Sequence, residues 1–296
     1  MLCATFWIPA MPDLEMKDHD LQPVLSVKGL SVRFGRGAVP AVSNVSFDVG
    51  RERVGIVGES GSGKSTTGRA IMRLLPPAAV VTAERLDLGG DPLLSKSERQ
   101  MGALRGKDIA LIMQDPRYSL NPVLSIGKQI AEAARLHLGL GKSQAFDAAR
   151  AMLERVRISD PDRVMALYPH QISGGMGQRV MIAMMLLARP KLVIADEPTS
   201  ALDVSVRKDV LLLLDELVRE NNSGLLLISH DIRMVAAFCE RIIVMYAGRI
   251  VETLTSLEEA RHPYTRGLIA ALPDPKNPVR RLAVLDRAKL DLEAAQ

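Results

Sequence analysis

The stretch Val54-Gly55-Ile56-Val57-Gly58-Glu59-Ser60-Gly61-Ser62-Gly63-Lys64-Ser65-Thr66 decides how this chain is read. Its first four residues are an apolar run suited to a short buried strand, and residues 64–75 continue with a helical pattern that Pro76-Pro77 is expected to stop. Between strand and helix lies G-x-x-x-x-G-K-S/T. Glycines let such a loop wrap phosphates closely with its backbone N–H groups, and the helix that follows adds its positive N-terminal end. A lysine at position 64 reaches the β- and γ-phosphates, and the Ser65 hydroxyl ligates Mg²⁺. Gly58, Glu59, Ser60, Gly61, Ser62, Gly63, Lys64, Ser65 and Thr66 are therefore the candidate phosphate contacts. The bland alternative is a glycine-rich turn with no ligand, and the flanking strand and helix argue against it.

Working outward, Val24–Val32 and Val42–Val49 alternate apolar and polar residues, the pattern of half-buried antiparallel strands. Ile109–Met113 reads as another strand. From about 119 to 189 the pattern turns helical, with segments at Gly127–Leu138, Ser143–Arg157 and Gly175–Ala188. Strand and helix then alternate through Leu192–Ala195, Val204–Glu220, Leu225–Ser229, Ile232–Cys239 and Ile242–Tyr246. Alternation of this kind predicts an α/β fold with a mostly parallel sheet, an N-terminal antiparallel β subdomain and an inserted α-helical subdomain at about 119–180.

Leu192-Val193-Ile194-Ala195-Asp196-Glu197 is an apolar strand ending in two carboxylates. Alone it is equally a strand entering a solvated turn. Beside a phosphate loop, Asp196 becomes a Mg²⁺ holder and Glu197 the group that polarises an attacking water. Ser173-Gly174-Gly175 precedes a helical run and offers a second N-terminal anion site, a weak signal in isolation. His230 and Gln114 each follow a strand, at the edge where parallel sheets place ligands, and either residue type also sits there as an ordinary surface group.

Composition narrows the class. The longest uninterrupted apolar run, Val180–Ala188, is nine residues, well short of the roughly 20 that span a bilayer. Cys3 and Cys239 are the only cysteines, too few for a disulfide framework and without the spacing of a zinc or iron–sulfur site. Asp13, Glu15, Asp18 and Asp20 against Lys17 make the start acidic where a secretory signal is basic, so a reducing cytoplasmic setting is expected. A net charge of +4 over 296 residues with 3% aromatics is poor equipment for nucleic acid, and none is expected as a partner.

In the order Gly58–Thr66, Gln114, Ser173–Arg179, Asp196–Glu197, Asp203, His230, the chain resembles the nucleotide-binding subunit of ABC ATPases. The resemblance covers about Val24 to Glu252. It implies a P-loop NTPase core of RecA-like type, ATP and Mg²⁺ as substrate and cofactor, and ATP hydrolysis. Catalysis would rest on Lys64, Glu197 and His230, with Ser65, Gln114 and Asp196 around Mg²⁺ and Phe34 stacked on adenine. Ser173, Gly174, Gly175 and Gln178 would form the signature that closes on ATP held by an opposite subunit, with Asp203 in the loop linking the two sites. Position 177 departs from the pattern: glycine stands where the family has a long polar or basic side chain, which weakens a helix start by about 0.5–1 kcal/mol relative to alanine.

A finer resemblance rests on Met113-Gln114-Asp115-Pro116, Ser119-Leu120-Asn121-Pro122, Tyr168-Pro169-His170-Gln171 and His262-Pro263-Tyr264-Thr265-Arg266. These are similar to the oligopeptide, dipeptide and nickel importer branch. That implies a motor for uptake of a peptide-like or metal-chelate solute, in a head-to-tail dimer with a second ATPase subunit. Two transmembrane permease subunits and, indirectly, an extracytoplasmic solute-binding protein would complete the system, placing the chain peripherally on the cytoplasmic face of the membrane. The surface from Gln114 to Ile130 is the expected permease contact. The rival is an ATPase subunit of a soluble complex such as carbon–phosphorus lyase. Related subunits often end in a four-cysteine iron–sulfur segment, but 273–296 holds no cysteine, so no iron–sulfur cluster is expected. The chain divides into an extension at 1–23, expected to be poorly ordered, a nucleotide-binding domain at 24–255, and a tail at 256–296.

Overall fold

Strands that are apolar without interruption must be covered on both faces, whereas alternating strands need cover on one only. The computed structural model, which describes residues 22–35 and 39–272, separates the two kinds into two sheets. In chain order the elements are β1 (Leu25–Phe34), β2 (Val42–Val49), β3 (Arg53–Val57), α1 (Lys64–Ile71), β4 (Ala79–Thr82), β5 (Arg85–Leu88), β6 (Asp91–Pro92), α2 (Glu98–Leu104) and β7 (Ile109–Ile112). Four helices follow: α3 (Ile126–Leu138), α4 (Lys142–Arg155), α5 (Pro161–Ala166) and α6 (Gly174–Leu186). Then come β8 (Leu192–Asp196), α7 (Val204–Glu220), β9 (Gly224–Ser229), α8 (Ile232–Phe238), β10 (Arg241–Tyr246), β11 (Arg249–Leu254) and α9 (Pro263–Ala270).

The larger sheet runs in the order β11-β10-β3-β9-β8-β7, parallel throughout except for the antiparallel β10–β11 pair. Every residue of β8 and β9 is buried, and alternate side chains serve different cores. Val193, Ala195, Leu225 and Leu227 face the side covered by the helical subdomain, α7 and α8. Leu192, Ile194, Leu226 and Ile228 face the side shared with α1 and the antiparallel sheet. That second sheet has the order β2-β1-β5-β6, with β4 also paired to β1, and its register sets Leu25 opposite both Val49 and Leu88. The expected architecture is thus present, with α3, α4 and α5 forming the insertion.

Several boundaries differ for identifiable reasons. α1 stops at Ile71, not at the prolines. Arg73 takes a left-handed φ of +51°, its N–H donates to Ala70 O at 3.0 Å, and the Leu74 N–H donates to Arg69 O at 2.9 Å. This closes the helix as a Schellman turn with arginine where glycine is usual. The Arg105 guanidinium holds the exit by donating to Met72 O at 2.9 Å and Arg73 O at 3.0 Å. Strands β5, β6 and β11 and helices α2, α5 and α9 lie in segments where polar interruptions hide the period, and β4 is only four residues long.

The tail set apart at residue 256 continues to pack. The Glu252 carboxylate accepts the N–H groups of Arg261 at 2.7 Å and His262 at 3.1 Å, fixing the start of α9, and Tyr264 on that helix is fully buried. Most of the proposed N-terminal extension and the cysteine-free segment after 272 fall outside the described residues.

Gly55 on β3 lets α8 pack close against the sheet: a Cβ there would lie 2.1 Å from Val235 Cγ1 and 3.1 Å from Cys239 Sγ. Gly102 on α2 faces open space instead. Gly55→Ala should destabilise the chain by about 1–3 kcal/mol through overpacking, while Gly102→Ala should stabilise it by about 0.5–1 kcal/mol. Urea unfolding midpoints of the two variants, moving in opposite directions from the parent, are the check.

Candidate nucleotide site

β3 sits inside the parallel sheet, paired to β10 on one side and β9 on the other. Its C-terminal end therefore delivers residues 58–63 to the edge where open α/β sheets hold ligands. The glycines earn their place by contact. Gly58 has φ +154°, and a Cβ there would lie 2.2 Å from Met245 O; Gly63 has φ +101°, and a Cβ would lie 2.7 Å from Ala41 O. From outside, the Gly248 N–H donates to Ser62 O at 3.1 Å, so the β10–β11 turn braces the loop.

Lys64 is only 5% exposed. Its ammonium lies within the loop and donates to Gly58 O and Glu59 O, both at 2.8 Å, and to Ser62 Oγ at 3.4 Å. Burial lowers its pKa below the ordinary lysine value, while the charges of Glu197, Asp196 and Glu59 oppose that shift. The next residue, Ser65, donates its hydroxyl to Asp196 Oδ1 at 2.7 Å, across 131 positions of sequence. Burial pushes the Asp196 carboxyl up, aided by neighbouring Glu197, against the Ser65 hydrogen bond and the charges of Arg69 and Lys64. The Arg69 guanidinium, 3.9 Å from Asp196 Oδ2, went unnoticed in the sequence. Its signal was the helical spacing from Ser65, which puts both residues on one side of α1.

Glu197 and His230 come together at the ends of β8 and β9, with His230 Nδ1 2.9 Å from Glu197 Oε1. The Glu197 N–H donates to Ile228 O at 2.9 Å, and the residue adopts φ +49°, a left-handed conformation unusual outside glycine, asparagine and aspartate. Its carbonyl accepts the Ser200 hydroxyl at 3.1 Å. Sharp reversal at the strand end thus aims the carboxylate of Glu197 toward the histidine rather than along the sheet.

Gln114, Ser65, Arg69 and Asp196 line one cleft of about 790 Å³. Phe34 ends β1 with 41% of its surface exposed, available for a stacked ring. Ser173 caps α6 by accepting the Met176 N–H at 3.3 Å, and Ser173 and Gly174 are exposed along an adjoining cleft. Gln178 departs from expectation. It is 1% exposed, with both amide atoms buried and unbonded, because it lies on the inward side of α6 and does not share the outward face of Ser173. Gly177 has a packing reason: a Cβ there would meet the Pro116 ring at 3.3 Å, so glycine lets the signature helix rest on the turn after Gln114. Asp203 is exposed at the start of α7 and makes no side-chain capping bond.

A serine hydroxyl and a carboxylate 2.7 Å apart, with a glutamine amide in the same cleft, are hard oxygen donors suited to Mg²⁺. Among the described residues there is no group of three or more His, Cys, Asp or Glu side chains able to hold a metal by themselves. A magnesium site that takes one or two protein oxygens and the rest from phosphates and water fits this donor set.

Fold and site together define a nucleotide-binding cassette built on a phosphate loop. The family model described as ABC transporter matches residues 42–200, and the chain belongs to that family of ATP-hydrolysing cassettes. It is similar to the dipeptide transport ATP-binding protein DppD of Escherichia coli (strain K12), 47% identical over 268 residues that cover 88% of this chain and 82% of the relative. The oligopeptide transport ATP-binding protein OppD of Salmonella typhimurium is 44% identical, with 84% and 76% covered. Among solved structures, a bacterial ABC transporter cassette in dimeric form matches with a TM-score of 0.68 at 26% identity, covering 78% of this chain and 98% of that one.

Lys64→Ala removes the one ammonium bonded inside the loop. ATP affinity should fall about 10- to 100-fold, the worth of a charge-assisted hydrogen bond, as read by titration with ATP.

Proposed function

We propose that this chain is the ATP-hydrolysing motor subunit of an importer for peptide-like solutes, acting on separate membrane subunits. The observation that carries the motor reading is the convergence of Glu197 and His230, 2.9 Å apart, at the strand ends beside Lys64 and the Ser65–Asp196 pair. The solute class follows the relatives, whose names are those of dipeptide and oligopeptide transport proteins. Both are transport subunits, which lends no support to a soluble carbon–phosphorus lyase complex.

The division of labour follows from geometry. Loop amides and Lys64 bind the phosphates and offset negative charge that builds on them during transfer. Glu197 accepts a proton from, and orients, the attacking water, and His230 holds that carboxylate in place while facing the terminal phosphate. Mg²⁺, bound through Ser65 and Asp196 with Gln114 alongside, would supply charge neutralisation at the β- and γ-phosphates. Exposed Ser173 and Gly174 fit contact with the nucleotide of a facing subunit. The solved cassette reported as a dimer supports such pairing.

Among the described residues no helix is long and apolar enough to cross a membrane. A docking surface is what a peripheral motor needs. A cleft of about 590 Å³ lined by Leu74, Leu111, Met113, Leu124, Leu136 and Met184 lies next to the segment 114–130. Leu136 and Val123 are each 75% exposed nearby, fitting a membrane subunit's cytoplasmic loop.

Glu197→Gln should keep ATP affinity and lower kcat by about 10²- to 10⁴-fold, the usual reach of a general base; a phosphate-release assay at saturating ATP decides it. Affinity purification of the full chain from native membranes should bring down two permease chains and a second cassette. Recovery with soluble enzyme subunits and no permease would favour the rival complex.

A further inference from the structure

The phosphate loop is tied to the far end of the chain by a hydrogen bond that catalysis does not use. The Glu59 N–H donates to the Tyr264 hydroxyl at 2.9 Å, across 205 positions. Tyr264 is fully buried, its ring centroid 4.5 Å from that of Tyr246 at a tilt of 41°, and its helix is anchored by Glu252 through the N–H groups of Arg261 and His262. The hydroxyl is therefore held by a ring packed on β10 and by a helix start bonded to β11.

A trans peptide is a rigid plane in which C=O and N–H point opposite ways. With the Glu59 N–H turned out to Tyr264, the Gly58 carbonyl of the same plane turns inward, where it accepts the Lys64 ammonium at 2.8 Å. Gly58 at φ +154° has no side chain to limit rotation, so two hydrogen bonds hold this plane, one from Lys64 within the loop and one from Tyr264 outside it. We infer that Tyr264 is a positioning residue for ATP binding: its hydroxyl sets the 58–59 peptide plane and thereby the place of the Lys64 ammonium. This inference rests on the ATP-binding reading of the loop.

Tyr264→Phe keeps the ring and removes the bond. In the full chain, ATP affinity should weaken and KM rise about two- to tenfold, the range for one net hydrogen bond. Bound phosphates re-impose the loop conformation, so kcat at saturating ATP should stay within about twofold. A role in folding alone would lower the nucleotide-free unfolding midpoint and leave affinity and KM where they were, which overturns the inference, as does a fall confined to kcat. Glu252→Ala, which frees the start of α9 but keeps the hydroxyl, should shift KM in the same direction by less. Should Tyr264→Phe not fold, an unchanged KM in Glu252→Ala overturns the inference and a raised one supports it. Parent protein that binds no ATP, or Lys64→Ala that binds as the parent does, defeats the site reading itself. Failure of Tyr264→Phe alone, with those two controls behaving, defeats only the positioning role.

Discussion

A buried cation has to be surrounded by acceptors, and the ammonium of Lys64 imposes that constraint on much of this molecule. Removing such a charge from water costs several kcal/mol even after relaxation, so the chain must return that stabilisation locally. Two backbone carbonyls do so at 2.8 Å, and carboxylates at 59, 196 and 197 supply opposing charge. Carbonyls can only face inward if the loop bends through conformations that glycine permits. Carboxylates can only be near if β8 ends level with β3. The parallel register, with β9 between them, secures the second condition.

The same requirement organises the outer structure. Strands β10 and β11 add no charge to the site, yet their turn and the helix beyond it press on the loop from behind, at Met245, Gly248 and Tyr264. On the other flank, α6 meets the turn after β7 at Gly177 against Pro116, two positions from Gln114. That contact sits beside the cleft that Gln114 shares with Ser65 and Asp196.

Much of this was readable from residue order because the loop motif requires a strand before it and a helix after it, and both were apolar in the right period. Uninterrupted apolar runs marked β8 and β9, which are buried on both faces. Asp196, Glu197 and His230 were found because they sit just past those runs. What escaped was carried by contacts that no local period encodes. The turn at Arg73 that closes α1 is held by Arg105, over 30 residues away. The inward turn of Gln178 depends on which face of α6 meets the core, and a helix apolar on nearly every side gives no direction. Strands β4, β5, β6 and β11 are short or half exposed, so their alternation is too brief or too weak to stand out. The contact from Tyr264 to Glu59 joins the motif to a segment that composition alone marks only as a tail.

The strand order has a consequence for synthesis. β3 appears early, but both of its hydrogen-bonded neighbours, β9 and β10, come from the last third of the chain. At about 5–20 residues per second on the ribosome, the 205 positions between Glu59 and Tyr264 take roughly 10–40 s to make. Until β9 and β10 are made, late in that interval, an apolar strand has open edges, a template for wrong pairing. A nascent chain in this state has no framed loop in which to seat a nucleotide.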